Sequence, residues 1–239
     1  MELVIRILMM VLLVGCFLVT PACKFAGEAT VDTQIPSNRA FGSILNNDIN
    51  NILYVLSAEK TTPAEYKKAV LHLLDTEPGI LAQNVGMPDP VIYRTQVATT
   101  WDKYVGGNQA KAMKALLDAD TDPLTITIEA CRERSAIILA SYRMNAEDFQ
   151  ERELELYDFG RTHKDLRISG AHCLDPVHDV VFEHRMAIFT EVVNAYDIDG
   201  IEFDFRRWRH MISEPHKNHP VLTRMVRRTR ELLDEVSRR

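Results

Sequence analysis

Two carboxylates on one predicted strand are the side chains best suited to chemistry in this sequence. The run Gly200 to Phe205 predicts a short strand, and because side chains alternate along a strand, Glu202 and Asp204 share one face. Their Cα atoms are then about 6.6 Å apart, so that the two charges interact. The pattern predicts an acid–base pair, and the alternative is that a cation such as Arg143 or Arg206 neutralises it.

Further polar side chains end two other predicted strands. Asn84 ends the second strand, and Ser141, Arg143 and Asn145 share one face at the end of the third. Hydrogen-bonding groups of this kind suit a hydroxyl-rich ligand, although for each residue alone a capping or core role is the alternative. The candidate stacking platforms for such a ligand are Tyr93, Tyr142 and Trp208.

Short apolar runs alternate with amphipathic segments along the chain and must position these residues. Thr62-Pro63 and Asp122-Pro123 each place a proline after a capping residue, which predicts that a helix begins at each pair. Residues 125–128 also alternate, so a strand is the alternative to the second helix. The prediction is strands at 51–57, 80–85, 136–143 and 200–205, and helices at 62–74, 122–134, 145–157, 176–196 and 221–236. The last helix is predicted to bury Leu222, Met225, Val226, Leu233 and Val236.

Four strands alternating with helices predict a parallel sheet covered by helices. A (β/α)8 barrel needs eight such units, and about 250 residues is typical of one. The predicted fold class is therefore α/β, a partial (β/α)8 TIM barrel of about four parallel strand–helix units. Because four units do not close a barrel, we expect uncovered sheet edges and self-association of half-barrels.

Several segments together resemble a known family. They are 50–54, 61–66, 81–93, 141–145 and 196–206, and the most specific are the strand ends Arg143-x-Asn145 and Glu202-x-Asp204 with Arg206. The chain resembles bacterial glycosyl-hydrolase-like TIM-barrel proteins over residues 45–235. The resemblance implies a (β/α)8 fold and a saccharide ligand. We therefore predict Glu202 and Asp204 as catalytic residues, and Asn84, Arg143, Asn145 and Arg206 as substrate-binding residues.

The chain departs from that family in two respects. Full-length relatives continue beyond four strands, and in glycosidases that use two carboxylates the second acid often comes from a later strand. The chitinase-like pattern Asp-x-x-Asp-x-Asp-x-Glu is also not met, since Glu202 precedes Asp204. A non-catalytic exported sugar-binding or surface protein, and an inactive truncated relative, are therefore the alternatives to a glycoside hydrolase.

Residues 1–23 have the pattern of a signal peptide. Arg6 precedes an apolar stretch at 7–19, which is shorter than the roughly 20 residues of a membrane-spanning helix. Cys16 follows Leu13-Val14-Gly15 as in a lipoprotein signal, and Cys23 is a second candidate for lipidation. We predict an exported protein, periplasmic, cell-surface or secreted, that contacts a membrane only through a lipid anchor. Residues 24–47 are predicted to be a linker and 48–239 the domain.

Charge, cysteine and histidine content narrow the partners. The formal net charge of -6 argues against nucleic acid as a ligand. Cys131 and Cys173, the two cysteines after residue 23, are interpreted as buried thiols, because no CxxC pair is present. The histidines show no metal-ligand spacing and are interpreted as solvated, so no metal and no cofactor is predicted. Those considered are His178, His184, His210, His216 and His219.

Overall fold

The computed structural model describes residues 43–49, 51–145, 157–171, 173–206 and 209–238. Within these ranges the strands are β1 (Ile44–Asn47), β2 (Ile80–Gly86), β3 (Ile137–Arg143) and β4 (Gly200–Asp204). The α-helices of the same ranges are α1 (Asn51–Val55), α2 (Pro63–Leu74), α3 (Trp101–Tyr104), α4 (Gly107–Asp118), α5 (Pro123–Glu133), α6 (Asp158–Thr162), α7 (Asp179–Ala195) and α8 (Pro215–Val236). Two short 3-10 turns lie at Ala58–Lys60 and Lys164–Leu166.

The four strands form one parallel sheet in the order β1-β2-β3-β4. Helices separate consecutive strands along the chain, so the prediction of an α/β protein with four parallel strands alternating with helices is confirmed. In the part of the chain that the structure describes, no strand pairs with the outer side of β1 or β4. Self-association through these edges stays a prediction.

The first predicted strand is wrong. The apolar run that begins at Ile52 forms the one-turn helix α1, which buries Ile52 and Leu53 but leaves Tyr54 70% and Val55 74% exposed. A short apolar run does not distinguish a buried strand from a helical turn. β1 instead lies at Ile44–Asn47, within the stretch predicted as a linker, and as an edge strand it needs no continuous apolar run.

The two predicted proline-started helices are confirmed. The Thr62 hydroxyl accepts a hydrogen bond from the Glu65 backbone N–H at 3.2 Å, and Asp122 accepts one from Thr125 at 2.8 Å. A side-chain oxygen at the cap satisfies a helix N–H that has no partner within the helix. This local bond explains why residues 125–128 are helical despite their strand-like alternation.

One long helix was not predicted, and two other helix predictions need correction or fall outside the described residues. α4 lies in a stretch for which no element was predicted. The helix predicted at 145–157 lies almost wholly outside the described residues. α8 begins at Pro215 rather than 221, and Val226 is exposed, whereas Met225 and Thr229 are buried. These two residues are four apart on one side of the helix, and the Thr229 hydroxyl contacts the Met186 sulfur of α7 at 3.9 Å.

The core lies between the sheet and the helices. Phe189 of α7 packs its ring 4.9 Å from Tyr142 of β3 and 5.0 Å from Phe203 of β4, measured between ring centroids. Tyr142 also shares a 2.8 Å hydrogen bond with Tyr93, and burial raises the pKa of both hydroxyls. We call this side of the sheet the helix face. No helix of the described residues is long and apolar enough to cross a membrane.

Candidate functional site

The polar side chains at the strand ends lie on the side of the sheet opposite the helix face. Asn84 of β2 pairs in register with Ser141 of β3, which pairs with Glu202 of β4, and Arg143 pairs with Asp204. Residues in register on parallel strands point to the same side. Since Tyr142 and Phe203 point to the helices, these residues point away from them. We call this surface, with Asn46, Asn84, Ser141, Arg143, Glu202 and Asp204, the carboxylate face.

A hydrogen bond across the whole sheet shows that the carboxylate face is concave. The Asn46 amide of β1 donates to the Glu202 carboxylate of β4 at 3.1 Å, although β2 and β3 lie between these strands. In a flat sheet β1 and β4 would be about 14 Å apart, farther than an Asn and a Glu side chain reach through one hydrogen bond. The sheet therefore curls toward this face, and strand-end side chains converge there.

A second polar contact crosses the sheet at the same end. Arg143 of β3 forms an ion pair with Asp48, which follows β1, although β2 lies between the two strands. The Arg143 side chain is buried, and one third of the Asp48 side chain is exposed. Arg143 also contacts the Met87 sulfur at 3.9 Å. A buried guanidinium requires a partner of opposite charge, so the ion pair holds Arg143 in place.

Asp204 is buried and is hydrogen-bonded by Arg206, two residues further along the chain. Its Oδ1 accepts hydrogen bonds from the Arg206 backbone N–H at 2.9 Å and from the Arg206 Nε at 3.0 Å. The hydrogen bond with Asp204 raises the pKa of the exposed Arg206 guanidinium. The Asn145 amide donates to the Phe205 carbonyl at 3.2 Å, which joins the ends of β3 and β4. Asn145 thus lies beside Asp204 and Arg206.

Glu202 differs from Asp204 in its surroundings. Its one hydrogen-bond partner among the described residues is Asn46, and no described cation lies within ion-pair distance of it. The alternative raised from the sequence, that an arginine neutralises the carboxylates, therefore describes Asp204, which Arg206 contacts directly, whereas Glu202 acts on Arg206 only from beyond ion-pair distance. A half-exposed carboxylate beside a neutral amide keeps acceptor capacity for a ligand.

Ser141 was absent from the predicted site residues although its alternation with Arg143 was noted. Its hydroxyl is buried and has no hydrogen-bond partner among the described residues, and the same holds for the Asn84 side-chain oxygen. Such groups are rare in folded proteins. Alternation along β3 gave the only sequence signal for Ser141, and nothing in the local pattern indicated that its hydroxyl lacks a partner.

The predicted stacking platforms Tyr93 and Tyr142 are wrong. Both rings are fully buried on the helix face and bond to each other, because alternation along β3 turns Tyr142 away from Ser141. Trp208 lies outside the described residues. Tyr142 and Tyr93 therefore belong to the core and do not face a ligand.

The interpretation of the histidines as solvated is wrong for His184. Its Nε2 lies 3.0 Å from the Asp89 carboxylate, and its ring stacks on Phe159 with 3.7 Å between centroids. The side chains of His184 and Asp89 are only 13% and 6% exposed. No local pattern could indicate this pair, since 95 residues separate its members.

The last predictions to compare with the structure concern the cysteines and a metal site. Cys131 and Cys173 are both buried, as predicted, and burial raises the pKa of the Cys131 thiol to about 12. Among the residues that the structure describes, no group of three His, Cys, Asp or Glu side chains is arranged to hold a metal ion.

The chain is similar to known proteins at the level of solved structures but not at the level of sequence. No family model matches the chain, and no curated protein matches it. Among solved structures, the alpha-L-fucosidase isoenzyme 2 from Paenibacillus thiaminolyticus is similar with a TM-score of 0.44 and 13% sequence identity. The similarity covers 81% of this chain and 30% of that one. The chain therefore spans less than a third of that protein's length.

Proposed function

We propose that this chain is an exported, glycoside-hydrolase-like protein that binds or cleaves a saccharide on the carboxylate face. Glu202 and Asp204 are the proposed catalytic residues, with Asn84, Arg143, Asn145 and Arg206 in contact with the substrate. The observation that carries the proposal is the Asn46–Glu202 hydrogen bond across two intervening strands, because it makes the polar end of the sheet concave. Concave sites with a few convergent polar groups are where small ligands bind.

The chemistry of the carboxylate face suits a saccharide. Sugar hydroxyls both donate and accept hydrogen bonds, and the Asn84 amide, the Ser141 hydroxyl and the Glu202 carboxylate supply both kinds of group. Arg143 forms an ion pair with Asp48 within the protein. Because this pair neutralises the arginine charge, the site attracts an anionic ligand only weakly. A neutral, hydroxyl-rich ligand is the class that fits these groups.

The sheet supports a partial (β/α)8 barrel as the fold that provides this site. The strand order β1-β2-β3-β4 is sequential, whereas doubly wound sheets reverse their strand order at a switch point. Curvature toward the face opposite the helices is also what barrel closure requires. In barrel enzymes the active site lies at the carboxyl ends of the strands, which is where Glu202 and Asp204 lie.

Within this proposal the two carboxylates have different roles. Glu202 is half-exposed with one neutral partner, so it can donate or accept a proton at a ligand oxygen. Asp204 is buried and receives two hydrogen bonds from Arg206, which fix its orientation. Glu202 is therefore the proposed proton-transfer group, and Asp204 the proposed negative charge beside it.

Saccharide binding without turnover is the second candidate function. Hydrolysis by the two-carboxylate mechanism needs two acids available to the substrate, and Asp204 is engaged by Arg206, whereas Glu202 has no ion pair among the described residues. A face with one available carboxylate and several neutral hydrogen-bonding groups suits a binding protein equally well.

The proposal of export depends on residues 1–23, which lie outside the described part of the chain. Arg6, the apolar stretch at 7–19 and the small residues that follow support it. Deletion of residues 1–23 should leave the protein in the cytoplasm, as cell fractionation would measure. Incorporation of labelled palmitate at Cys16 or Cys23 would identify a lipid anchor.

The decisive experiment combines a glycan array with hydrolysis assays on aryl glycosides. We expect the wild-type chain to bind a saccharide and Glu202→Gln to abolish turnover while keeping most of the binding. Glu183→Gln is the matched control, since Glu183 is an exposed carboxylate on α7 paired with Arg228. Binding without turnover in the wild type would support the second candidate. The absence of any binding would contradict both.

A further inference from the structure

We propose that Asn84 and Ser141 bind ligand hydroxyl groups at the floor of the carboxylate face, and that the Asn46–Glu202 hydrogen bond covers them until a ligand displaces it. This inference rests on the proposed saccharide site and adds to it the contact residue Ser141, the kind of ligand group that Asn84 and Ser141 share, and a cover. Ser141 and Asn46 are not among the predicted binding residues.

The first observation is that two buried polar groups lack partners. Asn84 is 2% and Ser141 0% exposed, and neither the Asn84 Oδ1 nor the Ser141 Oγ has a hydrogen-bond partner among the described residues. A buried polar group without a hydrogen-bond partner lowers the stability of the folded protein. Groups held in an unfavourable state of this kind are found at functional sites, such as a site prepared for a ligand.

The two groups are neighbours. Asn84 and Ser141 are register partners on β2 and β3, and both point to the carboxylate face. Adjacent strands are about 4.8 Å apart, so one small group between the side chains reaches both. The Asn84 oxygen accepts a hydrogen bond and the Ser141 hydroxyl can donate one. A ligand hydroxyl does both at once, which makes a polyhydroxylated ligand complementary to the pair.

The Asn46–Glu202 hydrogen bond lies above this pair. Glu202 is in register with Ser141 on β4 and reaches Asn46 on β1, so the bond must pass over β2 and β3. Asn46 is exposed, whereas Asn84 and Ser141 are buried, so the bond lies outward of the floor. The hydrogen bond is exposed to water, so a ligand that offers Glu202 a hydroxyl group can replace it at small cost.

The charge around the floor selects the class of ligand. Asn84 and Ser141 are neutral, the Glu202 carboxylate is the next residue of their row, and the nearby cations Arg143 and Arg206 are paired with Asp48 and Asp204. A negative charge at that position repels phosphates and carboxylates. It accepts hydrogen bonds from hydroxyl groups instead. The site is therefore built for an uncharged saccharide.

Thermal unfolding of the free full-length protein tests whether the floor groups are unsatisfied. Ser141→Ala should raise the melting temperature, because it removes a buried hydroxyl that makes no hydrogen bond. Thr127→Val is the matched control: Thr127 is also 0% exposed, but its hydroxyl donates to the Pro123 carbonyl at 2.7 Å. Its melting temperature should fall. A fall for Ser141→Ala as well would overturn the inference.

Calorimetric titration with the methyl glycosides of glucose, galactose, mannose and xylose tests the binding role. Ser141→Ala and Asn84→Leu should each weaken binding of the sugar that the wild type prefers by about tenfold, and a deoxy analogue lacking the contacting hydroxyl should bind wild type and variants equally. Asn46→Ala should bind up to about fivefold more tightly, since no cover remains to be displaced.

The outcomes separate the inference from the proposed function. If the wild type binds a sugar and the floor variants bind it equally well, the proposed function stands and the inference is wrong. If the wild type binds none of the four glycosides, the titration uses a glycan that the array identifies, and both the inference and the proposed function fail if the array identifies none. If Asn46→Ala weakens binding, Asn46 contacts the ligand and the covering role is wrong.

Discussion

The two faces of the sheet use the same four strands in opposite ways. On the helix face, Phe189 packs against Tyr142 and Phe203, and the Tyr142 hydroxyl is satisfied by Tyr93. On the carboxylate face, the Asn84 oxygen and the Ser141 hydroxyl have no hydrogen-bond partner among the described residues, and Glu202 has one, the neutral amide of Asn46. Stability is thus concentrated on the helix face, whereas hydrogen-bonding capacity is left unused on the carboxylate face. The difference indicates that packing on the helix face stabilises the fold, and that the carboxylate face is the proposed ligand-binding surface.

Truncation of one apolar side chain on each face should give the largest effect. Phe189→Ala should lower the unfolding free energy by roughly 3–5 kcal/mol, because it opens a closed cavity among buried rings. Leu139→Ala should lower it by roughly 1–2 kcal/mol, because Leu139 is only half-buried beside Gly200 on the carboxylate face. Urea unfolding measures both, and equal losses would remove the contrast between the faces.

Alkaline pH should weaken the helix side of the molecule. Burial raises the pKa of Tyr66, Tyr93, Tyr142 and Tyr196 above the ordinary value of 10.0. The unfolded chain releases these protons first, so stability is complete below about pH 10 and falls as the pH rises above it. Above this pH, the unfolding free energy should fall by about 1.4 kcal/mol per pH unit for each such tyrosine.

Urea unfolding at increasing pH, followed together with tyrosinate absorbance, tests this pH dependence. Tyr66→Phe should reduce this fall in unfolding free energy per pH unit by the contribution of one tyrosine. Tyr54→Phe, at an exposed position on α1, should leave it unchanged. A stability that is independent of pH above 10 would mean that these hydroxyls ionise as readily in the folded protein as in the unfolded chain.

Removal of the Glu202 charge should have the smallest effect on stability. Glu202→Gln should change the unfolding free energy by less than about 0.5 kcal/mol, since the side chain is half-exposed and an amide can still accept the hydrogen bond from Asn46. Chemical denaturation of the variant measures this directly. A loss of several kcal/mol would show that Glu202 holds the sheet together, and the carboxylate face would then be structural.

Much of the architecture followed from local patterns. The cap–proline pairs at Thr62-Pro63 and Asp122-Pro123 predicted where α2 and α5 begin, because a helix start is decided within one turn. Alternation along β4 predicted that Glu202 and Asp204 share a face, because side-chain direction in a strand follows from the backbone alone. Apolar runs likewise predicted β2, β3 and β4.

What the tertiary structure decided lies in contacts between distant residues. Asn46 meets Glu202 across 156 positions, and His184 meets Asp89 across 95, which no local pattern encodes. β1 is a strand because β2 pairs with it, although its own four residues are half polar. A strand's propensity depends on its neighbours, and a side chain is satisfied or left without a partner only by what folding brings to it.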